Sequence, residues 1–259
     1  MMWLVPFGAR SIRRQEKCTR NQHRYCVRTR LNSFDEQWSL DVIKDERAAY
    51  AVNIIERQAA EQAETLFRGQ IGEAGRAADK ALRRGQVSPL FALPSATGTI
   101  VSLGERLTHG PVIVTFYRGG WCPYCNIALQ GLQSRLQAIK SLGGSLIAIS
   151  PEVPDQSLST TEKLALEFDV LSDADNFVAR LFGLVYRISD AARERLQAFG
   201  RDLASHNGTD SWELPITATY VISQEGLIVF HHVEADYRER LDPTEIVDAV
   251  ARVKHLQSR

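Results

Sequence analysis

The clearest hydrophobic pattern in the chain is a continuous apolar run followed by a helical one. Val112–Tyr117 reads as a buried strand. Apolar side chains then recur at helical spacing at Leu129, Leu132, Leu136 and Ile139. Proline is well tolerated at the first position of a helix. We therefore expect Pro123 to begin this helix, with Cys122 as its N-cap and Cys125 in its first turn.

Weaker patterns after Val87 predict the remaining elements. Strands are expected at Thr99–Leu103, Leu146–Ser150, Val170–Leu171, Leu184–Ile188, Thr217–Ser223 and Leu227–Val233. Helices are expected from a capping box at 159–162 to about Glu167, from Asp173 to Phe182, over Ala191–Phe199, and from Pro243 onward with Ile246, Val250 and Val253 buried. Residues 205–210 read as a surface loop. This order predicts an α/β fold with a mixed central sheet and helices on both faces.

The region before Val87 has a different character. Residues 34–84 read as helical, with probable interruptions at Gly69, Gly72 and Gly75. Residues 1–33 are basic and are expected to form a disordered extension. The expected domains are therefore 1–33, a helical segment at 34–84, and a compact α/β domain at 87–259.

Composition narrows the functional classes. The chain has 259 residues, 44% of them hydrophobic and 24% charged, as in ordinary globular proteins. Residues 1–33 carry eight Lys or Arg and one acid, which leaves the rest of the chain at −7. We expect no nucleic-acid partner and no membrane span. The expected location is the cytoplasm, and the basic N-terminus leaves organelle targeting open. Cys18 and Cys26, with His23 between them, match no common metal or redox motif and are expected to be incidental.

The chemistry of the chain is expected at Cys122-Pro123-Tyr124-Cys125. Two cysteines three residues apart at the start of a helix lie on one face, close enough for a disulfide. The free amides and the positive end of the helix dipole stabilise a thiolate there. A strand that leads into such a pair predicts a thiol redox centre.

The order of elements around this pair resembles the thioredoxin fold. The finer resemblance is to the alkyl hydroperoxide reductase/thiol-specific antioxidant family, the peroxiredoxins, over roughly Val87 to Leu256. Four stretches carry this resemblance: SPLFALPSATGTIVSL, FYRGGWCPYC, ISPEVPDQSLSTTEK and FDVLSDADNFVARLFGLV. The later stretch SWELPITATYVISQEGLIVFHHVEADYRERLDPTEI is similar to a peroxiredoxin-like subfamily. The resemblance implies a thioredoxin-like domain with a peroxiredoxin-type insertion, plus the N-terminal helical extension.

Aligned without gaps on the peroxiredoxin pattern FYPxxxTPxC, the chain places Cys125 at the peroxidatic cysteine. Cys122 falls on the usual threonine and Arg118 on the usual proline. Thr217 stands where the family has an arginine, and Ala218 takes the position of the thioredoxin cis-proline. Of four expected active-site residues, the cysteine alone is kept.

The resemblance implies a thiol-dependent peroxidase that needs no cofactor or metal and reduces hydrogen peroxide or alkyl hydroperoxides. Cys125 is expected to form a sulfenic acid and Cys122 to condense with it, after which thioredoxin or a glutathione-type thiol reopens the disulfide. Cys122 is expected to be the exposed cysteine that this thiol attacks. Arg118, Trp121, Tyr124 and Thr115 are expected to activate or line the site, with Thr217 and Thr219 as weaker candidates. A homodimer through the N-terminal helices is a further expectation.

Two other functions remain open from the residues. A thioredoxin- or glutaredoxin-type disulfide oxidoreductase would use Cys122 as the attacking thiol. A metal or iron–sulfur centre would pair the cysteines across a dimer. His206, His109, His231 and His232 are not placed near the cysteines by any pattern, and Glu152 is expected to be a solvated loop acid.

Overall fold

The computed structural model describes residues 36–257, with side chains from 51 onward except at 55, 59 and 255–257. Residue contacts divide the chain into one unit ending at Ile55 and a second from Glu56 to the C-terminus. Apart from the first part of helix α1, everything below concerns the second unit. The predictions for residues 1–33, including Cys18, His23 and Cys26, lie outside the described residues.

A single long helix precedes the α/β fold. Helix α1 runs without a break over Glu36–Ala78. The expected interruptions at Gly69, Gly72 and Gly75 are therefore wrong. A glycine costs a helix about 1 kcal/mol relative to alanine but does not end it, and burial of Ala74, 2% exposed, holds the last turns against the fold.

The remaining elements alternate as expected for an α/β fold. They are β1 (Ala92–Pro94), β2 (Ile100–Ser102), α2 (Leu103–Leu107), β3 (Val112–Phe116), α3 (Pro123–Ser141), β4 (Ser145–Ser150), α4 (Pro154–Leu164), β5 (Asp169–Ser172), α5 (Phe177–Leu181), β6 (Val185–Arg187), α6 (Asp190–Ala198), α7 (Leu203–Asn207), β7 (Glu213–Pro215), β8 (Thr217–Ile222), β9 (Ile228–Glu234) and α8 (Pro243–Gln257). None of the helices within residues 36–257 has the length and apolar character needed to cross a membrane.

The central sheet is mixed, as predicted. Its strand order is β5-β4-β3-β8-β9. Strand β3 is parallel to β4 and antiparallel to β8, and β9 closes the sheet as a hairpin partner of β8. Each face is covered by an apolar cluster, one containing α3 and α8 and the other containing α2 and α5. The fold class expected from the sequence is confirmed.

Two local predictions are wrong. Helix α4 begins at Pro154 with Val153 as N-cap, so the expected capping box at 159–162 lies inside the helix. There the Thr160 and Thr161 hydroxyls donate to carbonyls four residues earlier instead of capping an end. Part of the expected loop at 205–210 belongs to α7, where Asn207 is buried.

Candidate active site

The cysteine pair lies at the end of the central strand. Strand β3 is buried along its whole length, and the chain turns at Gly119–Trp121 before α3 begins at Pro123. Cys122 is the N-cap, with an extended backbone and no side-chain capping bond, and its carbonyl accepts from the Cys125 amide at 3.1 Å. The local geometry expected from the sequence is therefore present.

The turn before the cysteines is packed too tightly for side chains at its glycines. A Cβ on Gly120 would meet Thr160 Oγ1 at 1.9 Å, and one on Gly119, which has φ +138°, would meet the Trp121 ring. The Gly120 amide donates to Glu152 Oε2 at 2.8 Å. The turn therefore packs tightly between β3, α4 and the segment after β4.

Glu152 is a buried carboxyl group, not the solvated loop acid expected. Its side chain is 1% exposed, and burial raises its pKa to about 7. His206 Nδ1 of α7 lies 3.6 Å from Glu152 Oε1. Sequence alone missed this because nothing in the loop 151–153 indicates that α7 covers it.

Both sulfurs are buried and reduced. Cys122 and Cys125 are each 1% exposed. The expectation that Cys122 is exposed is therefore wrong for this state. Both cysteines belong to the apolar cluster that contains the buried face of α3, and Trp121 packs against that cluster.

The two thiols differ in acidity. The pKa of Cys122 is lowered to about 5, first because Cys125 hydrogen-bonds to its sulfur and then because Arg118 and Arg240 are positively charged. The pKa of Cys125 is raised well above the usual thiol value, because of its burial and its interaction with Cys122. Loss of the first proton from the pair therefore has a lowered pKa, and loss of the second has a raised pKa.

Two arginines flank the pair. Arg240 Nη2 lies 3.4 Å from Cys125 Sγ, and its Nε donates to the Tyr124 carbonyl at 3.3 Å. Arg118 is 7% exposed, and its guanidinium lies 4.9 Å from the Trp121 ring and 4.0 Å from the Tyr237 ring. A buried arginine held by aromatic rings keeps its charge available to the sulfurs.

A small cavity borders Cys125. It has a volume of about 40 Å³, and Thr115, Thr217, Thr219, His232 and Arg240 are among its lining residues. The hydroxyls of Thr115 and Thr219 lie 3.0 Å apart across the β3–β8 pairing. A polar cavity of at least about 10–15 Å³ can hold a water molecule, so this cavity has room for a small polar ligand.

The sequence did not point to Arg240, Tyr237 or His232 as site residues. Arg240 and Tyr237 follow β9, more than a hundred residues after the cysteines, in a segment without a motif. His232 was expected to lie away from the cysteines, but the β8–β9 pairing brings it to the cavity beside Cys125. His231, on the opposite face of the strand, accepts from the Arg84 amide.

Metal-binding clusters are not formed by the described residues. No group of three or more His, Cys, Asp or Glu side chains between residues 51 and 254 could hold a metal ion.

Comparison with known proteins assigns the fold and the family. The chain is 33% identical over 107 residues to Peroxiredoxin Bcp of Escherichia coli K12, which covers 40% of this chain and 65% of that protein, less than two thirds of its length. It is 28% identical over 148 residues to a putative peroxiredoxin of Mycobacterium tuberculosis, covering 57% of this chain and 83% of that one. The crystal structure of Peroxidoxin BcpB from Mycobacterium tuberculosis superposes with a TM-score of 0.51 at 20% identity, over 66% of this chain and 97% of that one.

The sequence model of the AhpC/TSA family matches residues 84–231, which include the strand, the turn and both cysteines. Tyr237, Arg240 and the α1 residues lie outside that match. The resemblance to peroxiredoxins noted in the sequence is confirmed, and the chain belongs to the AhpC/TSA family, with a peroxiredoxin-like thioredoxin fold.

Proposed function

We propose that this protein is a thiol-dependent peroxidase that reduces hydrogen peroxide or alkyl hydroperoxides through a disulfide between Cys125 and Cys122. Its membership of the AhpC/TSA family supports this class of reaction. The observation that carries the proposal is the small cavity beside Cys125. It is the space into which the Cys125 sulfur opens, and threonine hydroxyls and a guanidinium are in its wall.

Cys125 is the proposed site of peroxide attack. It is the cysteine that borders the cavity, and Arg240 lies within hydrogen-bond distance of its sulfur. The proton of Cys125 passes to the Cys122 thiolate along the hydrogen bond that joins them. The Cys125 thiolate then attacks one peroxide oxygen and becomes a sulfenic acid.

The second half of the reaction uses the same proton. The leaving hydroxide or alkoxide takes the proton from Cys122, and this leaves Cys122 as a thiolate. That thiolate attacks the Cys125 sulfur, forms the disulfide and releases hydroxide, which solvent protonates. A thiol reductant returns two electrons and two protons to regenerate the pair.

The remaining predicted residues have supporting roles in this proposal. Arg118 stabilises the charge of the pair, and Trp121 and Tyr237 hold its guanidinium in place. Thr115, whose hydroxyl donates to the Ala218 carbonyl in the reduced protein, turns its proton to the peroxide, and Tyr124 forms part of the surface beside the pair. Exchange with a protein disulfide through Cys122, the alternative, is less well supported, because it gives no role to the cavity beside Cys125.

The test is stopped-flow tryptophan fluorescence of the reduced protein mixed with hydrogen peroxide, since Trp121 adjoins the pair. We expect rapid oxidation in the wild type, none in Cys125→Ser, and persistence in Cys122→Ser above pH 8, trapped as a sulfenic acid. Mass spectrometry of the products distinguishes sulfenic acid from disulfide. A wild-type rate equal to that of a free thiol would refute the peroxidase, and insulin reduction would then test the exchange reaction.

A further inference from the structure

A cleft of about 510 Å³ lies between helices α1 and α6, within the range of volumes that small-molecule sites have. Neither cysteine lines it, so it is separate from the cavity beside Cys125. Most of its lining is apolar and includes Leu66, Phe67, Ile188, Leu196 and Phe199. The cleft therefore has room for a small molecule with an apolar body.

A buried guanidinium lines this cleft without a partner of opposite charge. Arg118 is 7% exposed, and its Nε is buried without a hydrogen bond to any described residue. None of the carboxylates between residues 51 and 254 forms an ion pair with Arg118, which instead stacks on the rings of Trp121 and Tyr237. A buried charge is costly unless it is paired and hydrogen-bonded. The site therefore suits an anionic group beside Arg118.

The cysteine pair does not supply a hydrogen-bond acceptor to Arg118. The guanidinium that contacts a sulfur is that of Arg240, whose Nη2 lies 3.4 Å from Cys125 Sγ. Within the described part of the chain, Arg118 forms no such bond to either cysteine. Aromatic stacking occupies the faces of a guanidinium, whereas its N–H donors point outward in its plane. These donors match the two oxygens of a carboxylate.

The other charged side chains of the cleft have less to offer an anion. Arg238 and Glu64 each form an ion pair with a side chain of opposite charge outside the cleft. Arg195 stacks on Phe199, whose side chain is 67% exposed, and is itself partly exposed. Water screens a charge at such a position, so an anion gains more from the buried Arg118 than from Arg195.

We propose that this cleft is a binding site for a small organic acid with an apolar body and one carboxylate. The carboxylate binds Arg118, and the apolar body lies along Leu66 and Leu196. The N-terminal segment is a poor occupant, because residues 1–33 carry eight Lys or Arg and one acid and would be repelled by Arg118. The inference goes beyond the proposed function and does not depend on it, since it involves no reaction of the cysteines.

Isothermal titration calorimetry of the reduced protein with octanoate tests the inference without peroxide or a reductant. We expect octanoate to bind at one site per chain. Octanamide has the same chain and no charge, and it should bind at least about tenfold more weakly, because it cannot form a charged pair with a buried guanidinium. Absence of octanoate binding, or equal affinity for the two ligands, would overturn the inference.

Two arginine variants locate the carboxylate within the cleft. Arg118→Met should weaken octanoate binding at least about tenfold and change octanamide binding little, because the apolar stem is largely kept. Arg195→Met removes the partly exposed cation and should weaken octanoate binding less than about fivefold. A large loss in Arg195→Met with none in Arg118→Met would overturn the inference, because the carboxylate would then lie at the exposed arginine.

A third variant leaves both arginines in place and tests the apolar part of the site. Ala63→Trp fills the cleft from α1 and should weaken the binding of both ligands, whereas Gln62→Trp, on the exposed side of that helix, should change neither. Equal octanoate binding in these two variants would overturn the inference. A dimer that Ala63→Trp dissociates, in a protein that does not bind octanoate, would also overturn it, because a second copy of the chain would then fill the cleft. Failure of peroxide to oxidise the cysteines would refute the proposed peroxidase and leave this inference standing.

Discussion

The two sides of the cysteine pair are built in opposite ways. On the Cys125 side, strands β3 and β8, helix α3 and the segment at Arg240 border about 40 Å³, where three threonines, His232, Glu239 and Arg240 stand among mostly apolar side chains. On the Arg118 side, α1 and α6 leave about 510 Å³ lined mostly with apolar side chains. The first space admits two or three oxygen-sized atoms, whereas the second admits a whole small molecule.

The contrast follows from the elements that form the two spaces. A sheet offers close, rigid spacing between hydroxyls on neighbouring strands, as between Thr115 and Thr219. Helices that cross above the sheet leave wider gaps that apolar side chains line.

The largest effect is expected at the turn at Gly119–Trp121, which leads from β3 into the cysteine pair. Glu152, which accepts from Gly120, has a pKa raised from 4.5 to about 7. Stability from this group is fully present below pH 4.5 and is lost as the pH rises through 7, about 3 kcal/mol in all. The stability of the wild type relative to that of Glu152→Gln, measured by urea unfolding from pH 4.5 to 8, should show this loss. The exposed Glu162→Gln is the control, and an identical pH dependence in all three proteins would contradict the prediction.

The next effect concerns the Cys125 side alone. Arg240→Met removes the guanidinium that lies 3.4 Å from Cys125 Sγ. Hydrogen bonds to charged groups contribute about 1.5–3 kcal/mol, so oxidation by hydrogen peroxide should slow roughly 10- to 150-fold. Stopped-flow fluorescence checks this, with the exposed Arg252→Met as the matched control. Unchanged oxidation in Arg240→Met would remove the basis for placing the peroxide in this cavity.

The pH dependence of oxidation tests the shared proton. Because the pKa of Cys122 is about 5, the thiolate of the pair is present above pH 5 and is lost as the pH falls through 5. The oxidation rate should therefore be flat above pH 6 and fall about tenfold per pH unit well below 5. In Cys122→Ser the fall in the oxidation rate toward low pH should begin at a higher pH, because burial raises the pKa of the remaining thiol. A wild-type oxidation rate that already falls near pH 8.5 would show that the two sulfurs do not share a proton.

The smallest effect is expected from a single cavity hydroxyl. Thr115→Val keeps the shape of the side chain and removes a donor, so oxidation by hydrogen peroxide should slow roughly two- to tenfold. Binding of octanoate in the cleft should not change, since Thr115 is absent from the cleft. Weaker octanoate binding in this variant would argue against separate sides.

Much of the fold could be predicted from the chain because its signals are local. The apolar run at Val112–Tyr117 and the 3.6-residue period after Cys125 specify a buried strand and an amphipathic helix wherever they occur. Pro123 determines where that helix begins. The same rule would have placed the start of α4 at Pro154, but the capping box at 159–162 suggested a later start, and those residues instead bond backward within the helix.

The sequence by itself determined the cysteine pair and the helix that carries it, because the spacing of Cys122 and Cys125 and the helix that follows are contained in one short stretch. Only the tertiary structure decided the surroundings of the sulfurs. Arg240 is 115 residues from Cys125, Glu152 is buried by α7, and α1 lines the cleft at Arg118. Such long-range contacts arise from the packing of elements whose own patterns say nothing about one another, and for that reason the two unequal spaces beside the pair appear only in the folded chain.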